Sequence, residues 1–191
     1  MTELIALALA ALLAENLLLA RFLGAESLLR QYGGLRRSVT AGLIVTAVMV
    51  LSAPLTWAAD FLLLRTFGLE YLRVLVFLLL IVLIARILQV LLSLLPRLEA
   101  QVGELIPLAA VNSAVLGGVL TAARSGLDLG ETVLTALFGG LGFTLAAVLL
   151  SSIRGRLAFS KCPRAFEGTP IALVTAGLLA MAFLGFSGLR V

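Results

Sequence analysis

The sequence predicts an all-α membrane protein with six transmembrane helices arranged as two inverted three-helix repeats. Three observations carry this. First, 62% of the 191 residues are hydrophobic and only 13% are charged, with a mean hydropathy of +1.19. A water-soluble domain of this size has no use for that much apolar surface, so lipid is the expected solvent. Second, six apolar stretches reach the roughly 20 residues that a spanning helix needs. Third, two of these stretches carry an asparagine at matching places, Asn16 and Asn112, 96 residues apart. Polar or interrupted segments at corresponding positions of two halves point to a site near the bilayer midplane of an inverted-repeat protein.

The six expected spans are roughly residues 4–23, 39–60, 72–92, 105–123, 132–151 and 170–188, with ends good to a few residues. Lipid cannot satisfy free backbone groups, so helices are the expected spanning element. The runs are too long and continuous for barrel strands, which would alternate over about 10 residues. Charged and helix-breaking residues fall between the runs: Gly33-Gly34-Leu35-Arg36-Arg37, Arg65 to Glu70, Pro96 to Gly103, Arg124 to Glu131, and Arg154 to Gly168. The chain reads as one integral domain, 1–191, with repeats of about 1–95 and 96–191. No basic region precedes the first run and Glu15 interrupts it, so that run reads as a span rather than a cleaved leader.

The net charge of +4 is topological on this reading and does not indicate nucleic acid. One side of the predicted bundle holds ten basic residues: Arg21, Arg30, Arg36, Arg37, Arg86, Arg97, Arg154, Arg156, Lys161 and Arg164. The other holds four: Arg65, Arg73, Arg124 and Arg190. The richer side is expected in the cytoplasm of a bacterial inner membrane, with both termini periplasmic. Three spans per half then insert the second half upside down relative to the first.

The polar residues within the spans set the site expectations. Glu15, near the middle of span 1, costs at least about 2.5 kcal/mol on insertion scales and should face protein or water. Its readings are an ion or proton site, a protonated structural acid, or an acid near an interface. Asn16 and Asn112 can bridge helices or cap a break. Pro107 and Gly117-Gly118 make a break in span 4 plausible, and the Asn16 region is its counterpart in span 1. Arg86 and Gln89 share a face of span 3, with Arg86 able to snorkel to the cytoplasmic end. Trp57 and Tyr71 fit an outer aromatic belt. Gly139-Gly140-Leu141-Gly142, Ala176-Gly177 and Gly185-Phe186-Ser187-Gly188 allow close helix packing. There is no histidine, so Ser113 has no imidazole to activate it as a nucleophile. A single cysteine, Cys162, in a cytoplasmic loop, excludes an internal disulfide.

Several segments resemble the RnfA (RsxA) family, whose relative is NqrE of the sodium-pumping quinone reductases. They are Ala20-Arg21-Phe22-Leu23-Gly24, Tyr71-Leu72-Arg73, Ile106-Pro107-Leu108 with Asn112 and Ala114-Val115-Leu116-Gly117, Ile153-Arg154 with Arg156-Leu157-Ala158, and the run from Ile171 to Leu189. The resemblance covers nearly the whole chain. It implies a six-helix subunit of an ion-translocating oxidoreductase complex, which couples electron transfer from ferredoxin or NADH to Na⁺ or H⁺ movement. It also implies a homologous six-helix partner of opposite topology, of the RnfE or NqrD type, beside RnfB, RnfC, RnfD and RnfG. An iron or 2Fe–2S centre is shared with that partner near the midplane, each subunit giving two cysteines. Here those two positions are Glu26 and Ser113. Soft thiolates select iron–sulfur chemistry, and a carboxylate or hydroxyl does not reproduce their affinity or potential. Three possibilities follow. Electrons take another route, Glu26 and Ser113 act as oxygen ligands, or the subunit keeps its place without electron transfer. A stand-alone transporter built on Glu15, Asn16 and Asn112, and a purely structural scaffold, are the rival functions.

Overall fold

The structure is a computed structural model that describes residues 12, 13, 15–25, 34–157, 159, 163 and 166–188. All regular structure among these residues is helical. In chain order the elements are α1 (Leu35–Ala59), running on as a π-turn (Asp60–Leu64), a 3-10 turn (Glu70–Leu72), α2 (Arg73–Ser93), α3 (Pro96–Val102), α4 (Leu105–Ala110), α5 (Ser113–Arg124), α6 (Leu129–Leu157), α7 (Thr169–Leu184) and a closing 3-10 turn (Gly185–Gly188).

Three of these segments are long and apolar enough to cross a membrane: Leu35–Leu64, Glu70–Ser93 and Leu129–Leu157. They correspond to expected spans 2, 3 and 5, extended at their ends. Span 4 is two short helices, α4 and α5, parted at Val111 and Asn112. Span 6 is a 16-residue helix, α7, prolonged by the 3-10 turn. Only residues 12, 13 and 15–23 of span 1 are described, and from Glu15 onward they form turns rather than a continuous helix. The segment expected as a connection after Pro96 contains a helix, α3, with Pro96 in its first turn, where the missing N–H costs nothing.

The centre of the fold is the crossing of α1 and α6. The local sequence explains the closeness. Gly42 and Gly140 each lack the side chain that would hold the helices apart. A Cβ on Gly42 would lie 2.9 Å from the Thr144 Cα, and one on Gly140 would lie 2.8 Å from the Thr46 Cα. One turn further along each helix, Thr46 bonds the Gly42 carbonyl and Thr144 bonds the Gly140 carbonyl, both at 2.9 Å. The two hydroxyls meet at 3.2 Å. Small residues substitute for an absent hydrophobic drive between helices in lipid, because they let backbones touch. Around this crossing Leu17, Leu18, Met49, Phe77, Ile81, Val115 and Phe143 form the main buried cluster. The outward face of α2 is strongly apolar, with Leu75, Leu79, Leu83, Val90 and Leu91 all more than half exposed, as a lipid- or partner-facing helix requires.

Candidate functional site

Two backbone breaks meet beside the α1–α6 crossing, and each is organised by an asparagine. Asn16 is completely buried. Its amide nitrogen donates to the Gly142 carbonyl at 2.7 Å and to the Leu12 carbonyl at 2.9 Å. Its amide oxygen accepts the Leu18 and Leu19 N–H groups at 3.0 and 3.2 Å. Four hydrogen bonds use the donors and acceptors that an amide side chain offers. Asn112 is the N-cap of α5, with extended backbone (φ −73°, ψ 123°). Its amide oxygen accepts the Ala114 N–H at 2.8 Å. Both asparagines therefore cap the amide two residues ahead, which is how a polar side chain satisfies the orphan donors of a helix start.

The breaks also touch each other. The Gly24 N–H donates to the Ser113 hydroxyl oxygen at 2.8 Å. Gly24 has φ +77°, and a Cβ there would fall 2.8 Å from the Asn112 amide oxygen and closer still to the Phe143 ring. Only glycine combines that left-handed backbone with so close an approach. Phe22, at φ 55°, is a further left-handed residue in the same turn. The structure thus brings together Asn16, Gly24, Asn112 and Ser113. Glu26, two residues beyond Gly24, lies outside the described residues, as does Cys162.

Glu15 lies on the surface of the described chain. Its side chain is 66% exposed on the chain's surface and pairs with Arg21 at 3.3 Å. Arg21 also donates to the Thr121 hydroxyl at 2.6 Å. The reason is the break itself. From Glu15 onward the chain runs in turns, Glu15 projects outward, and the nearby Arg21 supplies the neutralising charge. Val111, at the other break, is 77% exposed. Arg86 does bond Gln89, at 3.3 Å on an exposed face. Tyr71 is exposed, and Trp57 stacks on Phe61 while donating to the Leu127 carbonyl at 3.0 Å.

Sequence reasoning passed over Asp60. It stands at the expected end of span 2 but is 2% exposed. Arg65 reaches one carboxylate oxygen at 2.7 Å and Arg73 the other at 2.5 Å. Arg65 also donates to the Ala123 carbonyl at 2.8 Å. Asp60 opens the π-turn, an insertion that commonly marks functional positions. A terminal acid followed by two arginines within 13 residues is the signal that could have revealed it.

A helical membrane protein with two interrupted segments sharing one polar junction is the class that this arrangement defines. The chain matches the model of the Rnf-Nqr subunit family of membrane proteins over residues 4–190, and it belongs to that family. It is 37% identical over 190 residues to a subunit of the ion-translocating oxidoreductase complex of Syntrophotalea carbinolica, covering 99% of this chain and 98% of the relative. It is 38% identical over 188 residues to a subunit of the Na⁺-translocating ferredoxin:NAD⁺ oxidoreductase complex of Acetobacterium woodii, covering 98% of each. The corresponding subunit of the ion-translocating oxidoreductase complex of Azoarcus sp. is 36% identical over 190 residues, 99% of this chain and 98% of the relative.

Proposed function

We propose that this chain is the RnfA-type membrane subunit of an ion-translocating oxidoreductase complex of the bacterial inner membrane, coupling electron transfer to Na⁺ or H⁺ movement. The observation that carries this reading is the near full-length similarity to proteins named as subunits of such complexes. The finer architecture of this reading is six spans as two inverted repeats, which the paired breaks support, with both termini periplasmic, from the basic-residue asymmetry, and a homologous partner of opposite topology, from the family resemblance. Glu15, Arg21 and Val111 lie exposed at the breaks, where an isolated chain would offer an ion pair to lipid. A charged pair at that depth requires protein or water beside it, so this face is the one that meets the homologous partner.

The donors that this chain brings do not fit the family's thiolate-bound iron centre. Ser113 already accepts the Gly24 N–H, and in the sequence it and Glu26 fall at the positions where the resemblance implies cysteines, so neither offers a soft ligand. The chain keeps the junction that frames the centre without supplying its sulfur. A self-contained transporter built on the midplane amides is the weaker reading, because all four valences of Asn16 are spent within the chain.

Affinity purification of the tagged chain from its native membranes tests the assembly. It should carry with it a homologous six-helix protein together with the other members of the complex; recovery of the chain alone would refute the reading. Iron analysis and electron paramagnetic resonance of that complex, compared with a Glu26→Cys/Ser113→Cys variant, test the junction. The cysteine pair should raise the iron content, and an unchanged content would contradict the loss of ligands.

A further inference from the structure

Away from the broken helices, the end of the bundle that carries Asp60 encloses a second polar feature. A cavity of about 220 Å³ lies between the end of α1 and the start of α6, and its polar lining comes from Thr56, Asp60, Arg65, Asp128 and Thr132. Thr132 is 3% exposed, and its hydroxyl is buried with no hydrogen-bond partner. A buried hydroxyl in a folded protein is ordinarily satisfied, so one lining a polar cavity calls for a water or an ion there.

The wall is rich in oxygen acceptors, and its one cationic donor is Arg65. The Thr56 hydroxyl directs its proton to the Ser52 and Ala53 carbonyls at 2.9 and 3.0 Å, leaving lone pairs for anything in the cavity. Trp57 spends its N–H on Leu127, and the Asp128 N–H goes to Glu131 at 3.2 Å. Arg65 directs Nε and Nη2 to Asp60 and Ala123. Beyond these bonds the wall presents the Thr56 and Thr132 hydroxyl oxygens, the Asp60 and Asp128 carboxylates, and the remaining N–H groups of Arg65. Hard oxygen donors select hard cations. Two carboxylates, one already shared with two guanidiniums, carry too little charge for a divalent ion. No group of three acidic, histidine or cysteine residues that could hold a metal occurs among the described residues.

We propose that this cavity is a monovalent-cation site, with Thr56, Asp60, Asp128 and Thr132 as its oxygen donors. Arg65 is the resident counter-charge that the incoming ion displaces. Its side chain is 41% exposed and is the more solvent-accessible partner, whereas Arg73, 14% exposed, holds the other oxygen of Asp60 in place. The site's role in translocation rests on the ion-translocating reading above; its existence does not.

The test uses the intact purified complex. NaCl, and separately LiCl, is titrated against choline chloride at constant ionic strength, and the melting midpoint and ²²Na⁺ binding are recorded. Wild type should be stabilised by Na⁺ or Li⁺. Thr132→Val keeps the shape of the side chain, so it should melt like wild type in choline while its half-saturating Na⁺ rises at least tenfold; Asp128→Asn should shift it in the same direction. Absence of any cation effect in wild type, or unchanged half-saturation in both variants, overturns the proposal. A complex that shows these shifts but has no redox activity would keep the site and remove the translocation role.

Discussion

The two polar regions of this molecule solve the same problem in opposite ways. At the helix breaks, neutral amides satisfy the free backbone groups, and every donor and acceptor of Asn16 has a partner within the chain. At the Asp60 end, a buried carboxylate is held by two arginines next to a hydroxyl with no partner. The first region is saturated and therefore positional; it fixes where the chain turns. The second is unsaturated and therefore able to take a ligand. A polar residue inside an apolar protein does not by itself mark a binding site, and counting its hydrogen bonds separates the two roles.

The largest disturbance should come from Asp60→Ala. Removing one partner of a buried ion pair costs about 3–5 kcal/mol, because the remaining charges lose their compensation. Denaturant unfolding of the complex in micelles should show a loss of that order. Arg65→Gln should cost much less, since Arg65 is the exposed partner.

Asn16→Leu comes next. It strands the Leu18 and Leu19 N–H groups in a buried setting, at about 1–3 kcal/mol for each group that water cannot reach, and removes the cross-link to the Gly142 carbonyl. The same unfolding measurement should place it well below wild type. Asn112→Ala removes one cap bond and should cost about 1 kcal/mol, the usual value for an N-cap. If Asn16→Leu proved milder than Asn112→Ala, the first break would not be the positional anchor described here. Between these two lies Gly140→Ala, whose new methyl would meet the Thr46 backbone at 2.8 Å. Overpacking of this kind costs about 1–3 kcal/mol, and it should lower the complex's melting midpoint.

Much of this fold was legible because apolar length and punctuation decide it. Spans 2, 3 and 5 needed only their composition, and the break at Asn112 was foreshadowed by Pro107 and Gly117-Gly118. What escaped the sequence depends on where side chains point. Glu15 was expected to face protein or water and does lie on the surface of the chain; its pairing with Arg21 is what spacing did not announce. Asp60 read as the end of a span because its arginines fall in the next loop, and only the π-turn brings Arg65 and Arg73 back onto it. The Gly42–Thr46 and Gly140–Thr144 pairs lie 98 residues apart, and nothing local announces that they cross. Such long-range pairing is invisible to spacing rules, which see only one helix at a time.

On the function proposed above, this chain acts as part of a redox-driven ion translocase and not alone. The most direct measurement is ion uptake by inverted membrane vesicles, driven by electron donor and acceptor, with and without the gene for this chain. Loss of donor-driven uptake on deletion, with recovery when the chain is restored, is the expected result. Undiminished uptake in its absence, or ion flux through liposomes that hold this chain alone, would contradict it.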